Sequence, residues 1–382
     1  MTRRIKMKPG TRLSEQPDII GMNRWHPDIP AIVHVKPGED IILETLDFLD
    51  CQIANNDDPS DVRDIDLTRA HPLTGPIYID GAEPGDLLVV DILDIGTITP
   101  YGFSGIFAKE NGGGFLADYF PNAAKAIWDF HGIYTSSRHI PGVRFAGLTH
   151  PGLIGTMPSI DMVHEWNKRE APLAAEGKAK APYEPTAFVG SLKGAERDRV
   201  AKEACRTVPP REHGGNTDIK NISIGTRIYF PVFTKGAGFA MGDLHFSQGD
   251  GEIAFCGAIE MDGYTHLGFD LIKGGMAKYK LKQPIFVPGP TDPKFEKWLM
   301  FEGICVEDGK QYYLDATVAY RRACMNAIEY LQNFGYTGEQ AYMLLTAAPV
   351  EGRIGGIVDI PNCACTVAIP TSIFDQDILP KK

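Results

Sequence analysis

The chain has 382 residues, 43% hydrophobic and 23% charged, with a formal net charge of −11. That is the balance of a globular protein of one or two domains, neither disordered nor fibrous. The acidity, with no basic run beyond Arg3-Arg4 and Lys381-Lys382, argues against a nucleic-acid partner, and no apolar stretch approaches the roughly 20 residues that span a bilayer.

Residues 1–8 are basic but lead to Pro9-Gly10 rather than to an apolar segment, so no secretory signal is expected and the chain reads as cytoplasmic. Short β-branched and aromatic runs follow at 31–35, 40–44, 87–92 and 227–232, closed by turn residues such as Lys36-Pro37-Gly38 and Glu83-Pro84-Gly85-Asp86. They read as strands of a β core. The stretch 101–144, with Gly112-Gly113-Gly114 and several aromatics, is expected to be a loop near a site, and the polar stretch 165–182 a surface insertion. Helical signals come late. Asp315 is placed to cap a helix reaching about Phe334, with Val318, Cys324, Ile328 and Leu331 on one stripe and Gly335 as its stop. Thr337-Gly338-Glu339-Gln340 opens a shorter helix through Leu345.

The expected fold class is mainly β with α (α+β), a sandwich or barrel-like core with C-terminal helices. It is read as one unit over 1–382, divisible into an N-terminal β part (1–160), a surface insertion (161–200) and a site-bearing β part with the helices (201–382). No G-x-G-x-x-G opens a helix after a strand, which argues against a dinucleotide fold. The 7 cysteines are scattered, and Cys363 and Cys365 are spaced C-x-C with no second pair, so buried free thiols are expected.

The densest chemistry lies in His213-Gly214-Gly215-Asn216-Thr217-Asp218 and in the segment 241–252. Asp243 and His245 stand two apart, as do Asn216 and Asp218, so on strands each pair shares a face. Carboxylates and an imidazole on one face suit a divalent metal, zinc being the expected ion, with Asp218, Asp243 and His245 as ligands. Gly249-Asp250-Gly251, by contrast, reads as an ordinary hairpin turn. His71 precedes a strand at the mouth of the fold, and His150 lies in a glycine-rich stretch where it can face a pocket.

With these residues in view, the chain resembles the acetamidase/formamidase family. The matching segments are Gly75-Pro76-Ile77 with Gly81-Ala82-Glu83-Pro84-Gly85-Asp86, His150-Pro151-Gly152-Leu153-Ile154-Gly155, Gly214-Gly215-Asn216-Thr217-Asp218, and Gly242-Asp243-Leu244-His245 with Gln248-Gly249-Asp250-Gly251-Glu252. His213 before Gly214-Gly215 and the insertion around 166–186 look like the formamidase branch. The resemblance implies a mostly β fold of that type, hydrolysis of formamide or acetamide, and a homo-oligomer. Site roles follow as expectations. A metal polarises the amide carbonyl and lowers the pKa of its water. Glu252, with Asp243 and His150, serves catalysis by moving the proton to the departing nitrogen, and Asn216, His71 and His213 bind substrate. Competing readings are a cupin-like metal enzyme, a thiol mechanism with Cys256 or Cys205 as nucleophile and Glu260 as base, and a small-amide or urea-binding module without catalysis.

Overall fold

The computed structural model describes residues 2–291 and 294–381. One sheet runs in the order Arg3–Ile5, Asp40–Thr45, Gly263–Ile272, Leu87–Thr97, Arg227–Pro231, Ile285–Val287, antiparallel apart from its first pair. The predicted runs at 40–44, 87–92 and 227–232 all fall in it. The larger sheet runs Arg144–Ala146, Tyr134–Ser137, Ala124–His131, Tyr101–Ile106, Glu260–Met261, Phe239–His245, His150–Gly155, Gly214–Asn216, and the strand Leu73–Ile79 pairs alongside Phe239–His245. Ile41, Leu43, Val90 and Leu267 of the first sheet merge with Ile77, Ile154, Met241 and Leu244 of the second in one apolar cluster. Burial of such side chains contributes about 1.5–3 kcal/mol each.

Both sheets stay open, so the core is a layered packing and no barrel closes. Each sheet also interleaves early and late strands: Gly263–Ile272 lies between Asp40–Thr45 and Leu87–Thr97, and Phe239–His245 next to His150–Gly155.

The stretch 101–144 contains three successive antiparallel strands, Tyr101–Ile106, Ala124–His131 and Tyr134–Ser137, while its glycine-bearing part 107–123 loops between them, as expected. The stretch 165–182, read as a surface insertion, is mostly exposed but begins in helix: Ser159 caps Ile160–Ala175, which buries Val163 and Trp166. Its charged residues and Pro172 had masked the helical period.

The late helices form where their caps predict. The Asp315 carboxylate accepts from the Thr317 and Val318 N–H groups at the start of Ala316–Gln332, and Gly335 (φ +91°) follows its end. Thr337 and Gln340 make a reciprocal capping box on Gly338–Ala347. Both helices close over the main cluster through Ile328, Leu331, Tyr342 and Leu344.

Candidate active site

One backbone residue in Phe239–His245 decides which way its side chains face. Phe239 and Met241 enter the main apolar cluster, and so do Leu244 and Phe246, while Ala240 enters a second cluster. Strict alternation would carry 239 and 241 on to 243 and 245. Asp243 instead adopts φ +56° and the alternation inverts there. Leu244 and Phe246 take the core face, and Asp243 and His245 turn away from it together. Asp218 (φ +49°) and Glu252 (φ +44°) share this left-handed conformation, which costs on the order of 1–3 kcal/mol for a residue with a side chain and clusters at functional sites.

The expected common strand face of Asn216 and Asp218 does not exist. The strand stops at Asn216, and the N–H groups of Thr217 and Asp218 both donate to Gly152 O at 3.1 Å. Asp218 reaches the centre from that turn.

Ligand-type atoms of Asp218, Asp243 and His245 lie within 4.8 Å of one another, and those of His245, Glu252 and Glu260 do too. His245 Nε2 stands 3.2 Å from both Asp243 Oδ1 and Glu260 Oε2. Glu260 faces His245 directly across the strand pair. Sequence reading considered Glu260 only as the base of a thiol mechanism; its signal was the strand register, which motif spacing does not carry. Gly152 supplies the room. A Cβ there would fall 2.5 Å from His245 Cε1, 2.6 Å from Asp218 Oδ1 and 2.7 Å from Asp243 Oδ2.

Electrostatics at the centre are governed by burial and crowding. Burial, then Asp243, raises Asp218, while burial and Asp218 raise Glu252. Burial raises Glu260 as well, with His245 opposing. Burial works against ionised Asp243 too, but His245 and His71 overcome it and hold this carboxyl low. His245 is disfavoured as a cation by burial, yet Glu260 and Asp243 raise it well above an ordinary imidazole. Carboxylates crowded in this way favour a positive charge in their midst.

Other histidines divide clearly. Thr207 Oγ1 accepts the His71 backbone N–H at 2.6 Å and lies 3.2 Å from its Nδ1, while His71 Nε2 stands 4.0 Å from Asp243 Oδ2. Burial keeps His71 neutral, with its pKa lowered to about 4. His150 stands behind His245: its Nδ1–H donates to Leu148 O at 2.7 Å, and its Nε2 lies 3.2 Å from His245 Nδ1. The structure thus places His150 against the far side of the His245 ring rather than against the carboxylates. Gln248 completes that support, its Oε1 3.0 Å from His245 Nδ1 and its amide donating to Asp218 O at 2.7 Å.

His213 is elsewhere. Its ring packs between Trp25 and Trp166 at 4.6 and 4.8 Å, and no side chain pairs with either nitrogen. The expectation that it binds substrate is corrected to an apolar packing role. Asn216 leaves a buried Oδ1 without a partner. Cys256 is fully buried, and burial with Glu260 raises its thiol well above normal; burial pushes Cys205 up to about 12. Neither thiol is poised as a nucleophile.

A cavity of about 550 Å³ leads to His71. Its lining includes the apolar side chains of Phe48, Leu67, Ala70, Val208 and Phe255, and Asn167, Glu170, Ala171 and Ala174 of the Ile160–Ala175 helix. Lys178, Lys180, Lys202, Arg206 and Arg211 also border it.

The structure joins an open, mostly antiparallel sandwich to a buried cluster of carboxylates around one imidazole. Residues 6–376 match the model of the acetamidase/formamidase family. A formamidase from Methylophilus methylotrophus is 58% identical over 367 residues, covering 94% of this chain and 90% of the relative. An acetamidase from Mycolicibacterium smegmatis is 52% identical over 374 residues, covering 92% of each. A solved gamma lactamase from Delftia acidovorans superposes with a TM-score of 0.94 at 57% identity, over 96% of this chain and 92% of that one. The chain belongs to the acetamidase/formamidase family, and it is an amide hydrolase.

Proposed function

We propose that the chain hydrolyses formamide to formate and ammonia, using water activated at a divalent cation, zinc by its donors, held by Asp218, Asp243 and His245. The observation that carries the reading is the cradle over Gly152. Two carboxylate oxygens, Asp218 Oδ1 and Asp243 Oδ2, and the edge of the His245 ring converge where any Cβ would collide, and Asp218 Oδ1 is buried without a hydrogen-bond partner. Oxygens left so are costly unless something else satisfies them. Two carboxylates and an imidazole suit zinc among divalent ions. Bound there, such an ion polarises the amide carbonyl and lowers the pKa of water toward 7.

The chain's own groups supply the rest. Gln248 accepts from His245 Nδ1–H and so leaves Nε2 directed at the carboxylates. Glu252, crowded by Asp218, is the group that moves a proton between the attacking water and the departing nitrogen. His71, neutral and at the end of the cavity, presents Nε2–H to the substrate oxygen.

Formamide is placed first because the more similar of the two curated relatives is a formamidase. Cyclic amides are second, since the Delftia neighbour is a gamma lactamase and the cavity exceeds what formamide needs. Association of copies fits the exposed apolar side chains Met300, Ile304, Ile354, Val358 and Ile360 on and beside one small sheet. Among the described residues no helix is long and apolar enough to cross a membrane.

Ammonia release from formamide and acetamide, and ring opening of a γ-lactam to its amino acid, each measured before and after chelation, test the proposal. Ammonia release from formamide that chelation abolishes is expected. A folded, metal-loaded chain that hydrolyses none of them would sink it.

A further inference from the structure

Arg206 is placed unlike Arg211, which also borders the cavity. It is 7% exposed, and its side chain makes one hydrogen bond, from Nη2 to Leu67 O at 2.6 Å. Among the described residues it forms no ion pair. Arg211, by contrast, is gripped by Glu170 through Nε and Nη2, each at 2.7 Å. Asp66 acts on Arg206 only at a distance, and its Oδ1 is committed to the Thr68 N–H and hydroxyl at 3.0 and 2.6 Å. A guanidinium has five N–H donors in a fork shaped for a carboxylate, and that of Arg206 meets one backbone carbonyl and no carboxylate. Arg206 borders the cavity, and its charge reaches far enough to disfavour protonation of His71 at the inner end.

We propose that Arg206 is a binding station for the carboxylate product on its way out of the centre. The inference rests on the amide-hydrolysis reading. There a neutral amide and water become a carboxylate anion and ammonium: the C–N bond breaks, a C–O bond forms, and the nitrogen gains the proton it needs. The entering amide carries no charge for Arg206 to attract. The leaving anion does, and it is formed beside Asp243 and Glu260, which repel it. The basic side chains bordering the cavity, in a chain of net charge −11, give the same direction outward.

The test is formate binding to the full-length, metal-loaded protein, read by calorimetry at fixed ionic strength, beside formate inhibition of formamide turnover. Arg206→Gln is expected to weaken formate at least tenfold in both, with KM for formamide changed less than about threefold. Val208→Asp keeps the guanidinium and adds a competing carboxylate to the same wall, so it too is expected to weaken formate at least tenfold, and it decides the matter if Arg206→Gln does not fold. Unchanged formate affinity in a folded variant overturns the proposal, because formate would then bind at the metal alone. Equal weakening of formate and formamide overturns it also, since Arg206 would merely hold the wall in place. Calorimetry needs no turnover, so loss of the formamide assignment is distinguishable from loss of this one.

Discussion

A single methyl group at residue 152 should disable the centre while leaving the fold standing. Gly152 lies within the extended strand His150–Gly155, so alanine meets no backbone objection there. Its Cβ would stand 2.5 to 2.7 Å from His245 Cε1, Asp218 Oδ1 and Asp243 Oδ2. Comfortable contact begins near about 3.5 Å, so each group must retreat by about 0.8–1 Å. Misplacing reacting groups by about 1 Å costs roughly 10²-fold in rate, or about 2.7 kcal/mol of barrier. Overpacking should lower stability by only about 1–3 kcal/mol. The assay is kcat/KM for formamide, bound metal and melting temperature on one preparation, with Gly268→Ala as control, whose Cβ meets nothing nearer than 3.7 Å. Gly152→Ala with metal content and kcat/KM within about threefold of the parent would refute the placement of the centre.

His245→Ala should lose both bound metal and at least roughly 10³-fold of rate, with melting temperature affected less; a folded, metal-replete and active variant would contradict its role as ligand. Cys256→Ala should keep turnover within a few-fold, and a folded but dead variant would restore the thiol mechanism. His213 offers a pH test. Burial lowers its pKa to about 3 from the ordinary 6.5. Its folded-state pKa therefore lies below the unfolded one, so its neutral burial costs nothing above pH 6.5 and destabilises as pH falls from about 6.5 toward 3, by up to about 1.4 kcal/mol per unit. Denaturant unfolding of His213→Leu should lack that share of the slope and leave kcat/KM within about threefold; an unchanged slope, or lost turnover, would show that the ring is not simply packed between its tryptophans.

What the sequence made legible was local. The caps at Asp315 and Thr337 work through hydrogen bonds reaching two or three residues, and both helices begin there. The pair Asp243 and His245 was visible for the same reason. Its geometry was not, because an inverted alternation at Asp243 is a backbone choice that apolar periodicity does not encode. Glu260 was missed as a partner since only the pairing of Glu260–Met261 with Phe239–His245 brings it there. His213 was misplaced by its glycine neighbours, while its real surroundings, Trp25 and Trp166, come from distant parts of the chain. The helix Ile160–Ala175 was hidden by its charges, and with it the wall of the cavity.

The central claim is that Asp218, Asp243 and His245 hold a divalent ion on which amide hydrolysis depends. Its most direct test returns zinc stepwise to chelated protein while ammonia release from formamide and bound metal are measured together. The account predicts no release at zero metal, then a rise proportional to occupancy that saturates at a whole number of ions per chain and is absent from His245→Ala. Full release from a folded, metal-free chain would contradict it.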